Sequence, residues 1–246
     1  MRNFTTSLTI TDGRLPMLQA VDPYAEPSTF VNLFRGPELE TSTCHSHDQC
    51  FHENLDITLP KNDPLHEKFC YLRTKQPVPP NVEYFYFEVK IIRPLQMKTL
   101  SIIYCRPSKY RECAVGFCQE DVLENRLPGW DEGSFAYHGD DGGFYVSNAS
   151  GDPQENDEIF DKDDVVGCGL NLKTGHGYRT KNGVLLGSTN HRFQETQFST
   201  GRFYPCIAAK TNGEGDHFKV QVTLRSSEEH PFQYKGSYNE GLLRNE

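Results

Sequence analysis

The sequence contains no long apolar run. No uninterrupted apolar stretch approaches the roughly 20 residues that a membrane-spanning helix needs. The first residues, MRNFTTSLTITDGRLPM, also lack the apolar centre of a secretory signal peptide. These absences predict a protein of the cytoplasm or the nucleus, in which the eight cysteines are reduced thiols. Cys118, Cys168 and Cys206 lie in apolar strand patterns, where cysteine behaves as a small hydrophobic residue.

A basic surface is missing as well. The chain has 25 lysine and arginine residues against 34 aspartate and glutamate residues, which gives a formal net charge of -9. Proteins bind nucleic acids and anionic membranes largely through clustered lysine and arginine side chains, and these are scattered here. The composition therefore argues against both kinds of partner, and the acidic balance indicates a means of staying in solution.

The sequence has almost no helical periodicity and no internal repeat. From residue 69 onward, short apolar or alternating runs follow one another, separated by turn residues. Thr180-Lys181-Asn182-Gly183 predicts a hairpin, because Asn-Gly suits the type I′ turn whose twist matches the flanking strands. The pattern predicts an all-β fold, an antiparallel sandwich. The predicted strands are 69–72, 83–92, 100–104, 113–118, 135–137, 144–147, 165–172, 177–180, 184–187, 204–209 and 218–224.

Residues 1–68 differ in character from the rest. Short strand-like runs such as Leu55–Leu59 appear in this segment, but prolines interrupt every longer pattern. We expect residues 1–68 to form an irregular N-terminal extension that packs on the domain. Residues 69–235 are then the domain itself, and residues 236–246 are a C-terminal tail.

The segment Asn125–Gly142 is the most distinctive part of the chain. It contains the only tryptophan, Trp130, directly after Pro128-Gly129, and it ends in a Gly-Asp-Asp-Gly turn. Tight turns on both sides predict a rigid loop that presents a large aromatic side chain. No serine or cysteine is spaced to use His138 as a base, so the segment predicts binding and no catalysis. The turn at 139–142 is interpreted as architecture.

Several motifs, taken in order, resemble the SPRY domain of the Ran-binding-protein-in-the-microtubule-organising-centre (RanBPM) family. They are NRLPGWD, YHGDDG, DDVVGCGLNL and YRTKNGVLLG. Val78–Pro80 with Tyr86–Lys90 resembles the first strand of that domain, and His230–Phe232 resembles its end. The resemblance covers about residues 69–235. Residues 93–112 resemble an insertion where relatives have a tighter turn.

The resemblance implies a bent two-sheet β-sandwich of the concanavalin-like jelly-roll type. Such a domain binds short peptide segments of other proteins on a face built by loops, without catalysis and without a cofactor. In RanBPM-like proteins it belongs to a ubiquitin-ligase assembly of the CTLH/GID type. There the chain continues into helical LisH and CTLH regions, which these 246 residues do not contain. The resemblance thus implies an adaptor or substrate receptor of such a ligase.

We expect three loops at one end of the sandwich to bind the peptide. Trp130 and Leu127 would supply apolar contacts, since aromatic anchors often dominate interface energy. Three basic side chains in an acidic surface would favour an acidic or polar peptide. The predicted contact residues are Lys75, Pro77 and Pro79 in the first loop, Arg126, Leu127 and Trp130 in the second, and Lys210, Thr211 and Asn212 in the third.

The same residues also allow a purely structural interpretation. Trp130 would then fold back against the sandwich, and Arg126 would pair with Asp131 or Glu132. The other two loops would be ordinary solvated connections. Both interpretations stay open at the level of sequence.

A cluster of cysteine and histidine residues at positions 44–52 falls outside the resemblance. Zinc prefers cysteine and histidine ligands, but this spacing differs from that of structural zinc sites, and we expect no metal there. A zinc-dependent regulatory protein or enzyme built on the cluster is nevertheless an alternative, as is a permanent structural subunit of a larger assembly. The candidate zinc ligands are Cys44, His45, His47, Cys50 and His52.

The acidic run 152–164 lacks the residue order of a calcium loop and predicts a solvated turn.

Overall fold

The computed structural model describes residues 30–32, 52–58, 69–79, 82–93, 113–122, 126–147, 153–156, 158–189, 202–210 and 217–236. Every regular element in these ranges is a β-strand, and no helix there could cross a membrane. The strands are β1 (Phe30–Asn32), β2 (His52–Thr58), β3 (Phe69–Thr74), β4 (Tyr84–Arg93), β5 (Cys113–Cys118), β6 (Ser134–His138), β7 (Gly143–Val146), β8 (Glu155–Asn156), β9 (Val165–Asn171), β10 (His176–Lys181), β11 (Val184–Ser188), β12 (Tyr204–Lys210) and β13 (His217–Thr223).

The strands form two antiparallel sheets. The first sheet has the order β1-β3-β12-β5-β6-β7-β8, and the second has the order β11-β10-β9-β4-β13-β2. The main hydrophobic core joins both sheets. Phe87 of β4 packs edge-on against Phe117 of β5, with ring centroids 5.3 Å apart and an interplanar angle of 88°. The predicted two-sheet antiparallel sandwich is confirmed.

Strand β4 shows why this sequence builds a sandwich. Successive side chains of a strand point to opposite faces of its sheet. Phe85, Phe87 and Val89 alternate inward and are buried in the core between the sheets. Tyr86 and Glu88 face outward, yet they are buried too, because the C-terminal residues 225–236 cover this outer face.

The Asn-Gly hairpin forms as predicted. Lys181 and Val184 face each other across the β10–β11 turn, which leaves two residues in the loop. Asn182 has φ 51° and Gly183 has φ 77°. A positive φ at both central residues is the requirement of a type I′ turn.

Two strands come from the segment predicted as an irregular extension. β1 pairs with β3 at the edge of the first sheet, and β2 pairs with β13 at the edge of the second. The sequence did not predict β1, and β2 begins three residues earlier than the strand-like run at 55–59. Residues 44–51, the strand predicted at 100–104 and nearly all of the insertion at 93–112 lie outside the described residues.

The acidic run departs from the prediction of a solvated turn. Glu155–Asn156 forms β8, which pairs with β7. The Glu155 carboxylate accepts a hydrogen bond of 2.7 Å from the Arg179 guanidinium, whose side chain is 0% exposed. Phe160 is also buried in the core. The prediction was wrong for this part of the run, because it could not anticipate the partner on β10.

The four cysteines whose side chains the structure describes are buried free thiols. Cys113, Cys118, Cys168 and Cys206 all lie in the interior. Burial raises the pKa of the Cys168 thiol to about 12, so the thiol stays protonated at neutral pH. These residues act as small hydrophobic side chains.

Candidate functional site

The loop between β5 and β6 is fixed by its own hydrogen bonds. The Gly129 N–H donates to Ser134 Oγ at 2.7 Å, and the Ser134 hydroxyl donates to the carbonyl of Asp131 at 2.8 Å. The Gln119 N–H donates to the Gly133 carbonyl at 2.8 Å. The loop folds back over the outer face of the first sheet. Such a loop loses little conformational entropy when it binds a partner.

Gly129 allows this loop to lie close to the sheet. Its φ is 95°, a left-handed conformation that other residues rarely adopt. A Cβ atom at this position would lie 2.6 Å from the Cβ of Tyr145. The Pro128-Gly129 turn predicted from sequence therefore serves close approach to β7 as well as chain reversal.

Trp130 lies half-buried on the outer face of the first sheet. Its ring centroid is 5.4 Å from that of His138 and 6.1 Å from that of Tyr145. The Arg126 guanidinium lies 5.6 Å from the Trp130 ring centroid. The buried indole Nε1 has no hydrogen-bond partner among the described residues. Because a buried indole N–H normally finds an acceptor, this donor suits an acceptor supplied from outside the described part of the chain.

Leu127 does not present a contact surface. It is 1% exposed and packs with Tyr71, Cys118 and Cys206 on the outer face of the first sheet. The prediction of a direct apolar contact from Leu127 was wrong. A leucine next to a turn looks exposed in the sequence, but here its burial attaches the loop to the sheet beneath Trp130.

Arg126 pairs with Asp131, as the purely structural interpretation of this loop expects. Its guanidinium forms an ion pair of 2.9 Å with Asp131, while 36% of the arginine side chain stays exposed. The pair neutralises one of the three basic groups on which the expectation of an acidic peptide depended. Glu132, next in the loop, adds an exposed carboxylate.

The other two predicted loops do not lie at one end of the sheet. In the pairing of β3 with β12, Lys210 faces Phe69 and Cys206 faces Arg73. Lys75 follows the end of β3, so it lies about 20 Å along the strand direction from Lys210, at roughly 3.4 Å per residue. The prediction of a shared end was wrong, because strand pairing in the fold sets the positions of these residues.

The individual residues of those loops differ in accessibility. Lys75 is exposed, Pro77 is half-buried and Pro79 is buried. The chain between them is attached to the domain where the Val78 N–H donates to the Phe203 carbonyl at 2.7 Å. The Lys210 backbone ends β12, while residues 211–212 lie outside the described residues.

His138 is the site residue whose environment the sequence did not reveal. It is 1% exposed, its ring lies 4.2 Å from that of Tyr145, and its Nε2 lies 2.8 Å from the Pro128 carbonyl oxygen. Burial lowers the pKa of His138 to about 4, so the imidazole is neutral at pH 7. A neutral ring can approach a carbonyl only through a protonated nitrogen, so Nε2–H is the donor. The other nitrogen, Nδ1, has no partner among the described residues.

The outer face of the second sheet is covered in a different way. The Glu88 carboxylate accepts hydrogen bonds from the Gln233 N–H at 2.8 Å, the Tyr234 N–H at 2.9 Å and the Tyr86 hydroxyl at 2.9 Å. Phe232 and Tyr234 pack with Tyr86 in a separate hydrophobic cluster. Residues 230–232, which resemble the end of the family domain, therefore belong to a segment that is hydrogen-bonded to the second sheet and covers its outer face.

Two clefts border this C-terminal cover. One, of about 210 Å³, is lined by polar groups that include Glu88, Lys90 and Glu229. The other, of about 270 Å³, is lined mainly by apolar side chains that include Val82 and Phe232. They are the alternative to the Trp130 loop as a place for a ligand.

The fold and the sequence both agree with one known family. The family model of the SPRY domain matches residues 85–223. The chain belongs to the SPRY domain family. In structure, it resembles a human SPRY domain with a TM-score of 0.50 and 21% identity, covering 70% of this chain and 92% of that one. The SPRY domain of human HERC1 gives a TM-score of 0.50 at 13% identity, covering 70% and 89%.

The resemblance to the RanBPM-like SPRY proteins is confirmed by curated relatives. The Drosophila melanogaster "Ran-binding proteins 9/10 homolog" is 33% identical over 81% of this chain and 19% of its own length. Human Ran-binding protein 9 is 33% identical over 66% of this chain and 18% of its own length. The Arabidopsis thaliana Ran-binding protein M homolog is 32% identical over 51% and 26%. The chain thus matches about a fifth to a quarter of each relative, and the SPRY domain is a protein-interaction module.

Proposed function

We propose that this SPRY domain captures a short extended peptide segment of a partner protein on the face around Trp130, without catalysis and without a cofactor. One observation carries the proposal. The only tryptophan of the chain lies half-buried on a pre-ordered loop, and its indole N–H has no acceptor among the described residues. A bound peptide can pack its side chains on the exposed part of the indole ring, which the pre-ordered loop holds in place.

The contacts differ from those expected from the sequence. Leu127 holds the loop from below, so the apolar contact comes from Trp130. Arg126 already forms an ion pair with Asp131 through Nη1. The exposed part of its side chain can still pack against the peptide, and its other guanidinium N–H groups can donate hydrogen bonds to it. The proposed peptide therefore need not be acidic.

Lys75 and Lys210 enter the proposal separately. A peptide that contacted both would have to run about 20 Å along the first sheet, a span of roughly six extended residues. Lys210, Thr211 and Asn212 stay predicted contacts, and so do Lys75 and Pro77. Pro79 is buried and is left out of the proposed surface.

The test is a pull-down from native extract that compares three forms of the 246-residue chain. They are the wild type, Arg126→Ala/Trp130→Ala, and Val184→Ala as a matched control that removes an apolar side chain, 60% exposed, from the second sheet. Partners are expected on the wild type and on Val184→Ala, and to be lost from the double variant. Synthetic segments of those partners then give affinities by calorimetry.

A loss of about 30-fold or more in segment affinity, or about 2 kcal/mol, is expected for the double variant, as for a hot-spot residue. Equal affinities for all three proteins would refute the Trp130 face while leaving the fold unaffected. The melting temperatures of the three proteins must be compared first, because Trp130 also packs on the sheet.

The wider role implied by the resemblance is that of a substrate receptor or adaptor in a CTLH/GID-type ubiquitin ligase of the cytoplasm or nucleus. The relatives are named for binding Ran, so Ran is a defined partner to include in the binding assay. Co-purification of ubiquitin-ligase activity with the tagged chain, and longer half-lives of its captured partners in cells that lack it, would support the ligase role. Gel filtration of native extract separates a free adaptor from a permanent subunit of a large assembly.

A further inference from the structure

Beside the Trp130 loop, the turn after β6 gathers three side chains that can bind metal. One ligand atom from each of His138, Asp140 and Asp141 lies within 4.8 Å of the other two. His138 is buried, Asp140 is half-buried and Asp141 is exposed. The three groups thus lead from the surface to the interior, and an ion could reach them from the side of the carboxylates.

His138 has the hydrogen bonding of a metal ligand. Its Nε2–H donates to the Pro128 carbonyl at 2.8 Å, which fixes the tautomer and leaves the Nδ1 lone pair available. This buried nitrogen has no hydrogen-bond partner among the described residues. Histidines that bind metals usually donate their other ring N–H to a carbonyl or carboxylate in this way. A buried acceptor without a donor is costly in a purely structural role, because it has lost its hydrogen bonds to water.

Asp141 is also oriented by its neighbours. One carboxylate oxygen accepts a hydrogen bond from the Gly143 N–H at 2.7 Å, and the other accepts from the Tyr145 hydroxyl. Each oxygen keeps a further lone pair for a ligand. The Tyr145 ring in turn packs against His138, so the same tyrosine holds two of the three groups.

We propose that His138, Asp140 and Asp141 form a binding site for a divalent first-row transition metal ion of the Zn²⁺ class. One imidazole nitrogen and two carboxylate oxygens are ligands that such ions accept, and water can complete the coordination. The site shares the Pro128 carbonyl with the Trp130 loop, so a bound ion would stiffen that loop. The proposal does not depend on peptide capture and goes against the interpretation of the turn as architecture alone.

Trp130 provides a built-in reporter for the test. It is the only tryptophan, and its ring lies 5.4 Å from that of His138. A paramagnetic ion such as Co²⁺ bound to His138 should quench its emission, and Zn²⁺ should compete the quenching away. The 246-residue chain, stripped with a chelator, is titrated with Co²⁺ and then with Zn²⁺.

The variant Asp140→Asn keeps the size of the side chain and removes one charged ligand. We expect it to weaken Co²⁺ binding by at least the roughly 10- to 100-fold that follows even from the loss of an outer-shell partner. The matched control is Asp121→Asn, at an exposed position outside the cluster, and it should bind as the wild type does. A second readout needs no variant: the ring ¹⁵N resonances of His138 should shift when Zn²⁺ is added.

Two outcomes would overturn the proposal. Quenching of equal strength in Asp140→Asn and wild type would show an adventitious ion only. Thiolate-to-cobalt charge-transfer absorption, together with unshifted His138 resonances, would place the ion on cysteine thiolates instead of on the His138 turn. Should Asp140→Asn fail to fold, the His138 resonances of the wild type decide the matter alone.

Discussion

The two outer faces of this sandwich are both covered, but the covers differ in kind. On the second sheet, the Glu88 carboxylate accepts two backbone N–H groups of the C-terminal segment and the hydroxyl of Tyr86. On the first sheet, the loop 126–133 packs through Leu127, while Trp130 Nε1 and His138 Nδ1 have no partner among the described residues.

The difference offers a way to separate stabilising contacts from binding contacts in this fold. Burial alone does not discriminate, because both covers bury large aromatic side chains. Hydrogen bonding distinguishes Trp130 Nε1 and His138 Nδ1 from the fully bonded Glu88 carboxylate, since a buried donor or acceptor without a partner costs stability. On this basis we propose a stabilising role for the cover of the second sheet, beside the binding role proposed for that of the first.

The largest effect is expected at Glu88. Glu88→Gln replaces one acceptor oxygen with an NH₂ group that faces N–H and O–H donors, so the free energy of unfolding should fall by about 2–4 kcal/mol. Urea denaturation measures this change. Glu83→Gln, at an exposed position beside Lys173, is the matched control and should change little. Equal effects of the two variants would contradict the assignment of the second cover as structural.

Gly129→Ala and Gly183→Ala compare a glycine of the first cover with a glycine of the β10–β11 turn that packs against the second cover. Both have positive φ, and a Cβ would meet Tyr145 at 2.6 Å in the first and the Gln233 carbonyl oxygen at 2.9 Å in the second. Each should lose about 1–3 kcal/mol of stability, measured by urea denaturation. Only Gly129→Ala should also weaken peptide binding, because only that glycine positions Trp130. Weakened binding in both variants would argue for a general loss of fold.

Trp130→Ala should weaken partner affinity more than it lowers the free energy of unfolding, whereas Glu88→Gln should mainly lower the free energy of unfolding. Because the side chain is half-buried, its loss should cost about 1–2 kcal/mol of unfolding free energy. Its effect on partner affinity, measured by calorimetry, should reach about 2 kcal/mol or more. A variant that unfolds at room temperature would instead place Trp130 among the structural residues.

The smallest effect is expected at Arg126. Its ion pair with Asp131 is partly exposed, so Arg126→Ala should cost only about 0.2–1 kcal/mol of stability. Thermal melting at low and high salt measures this change, and the difference between variant and wild type should shrink as salt increases. A salt-independent loss would point to packing of the arginine on the Trp130 ring as the main contribution.

Local patterns explain how much of the fold could be predicted. The alternation of Phe85, Phe87 and Val89 with polar neighbours marked β4, and the Asn182-Gly183 pair marked the β10–β11 turn. Strand β8 was missed, because two residues in an acidic run show no period. A contact with Arg179, 24 positions away, accompanies this strand in the fold.

The site was less predictable, because its geometry depends on pairing and packing across the fold. Trp130 could be identified as an exposed candidate from its turn, but the burial of Leu127 and the partner of His138 come from neighbours that the local sequence does not specify. The sequence predicts Lys75 and Lys210 on one surface, whereas the register of β3 with β12 separates them.

The most direct test of the account is hydrogen exchange of the 246-residue chain with and without a captured partner segment. We predict that the amides of residues 126–134 become protected on binding, while those of residues 225–236 exchange at unchanged rates. Protection confined to residues 225–236 would contradict the account and move the binding site to the clefts beside Glu88 on the second sheet.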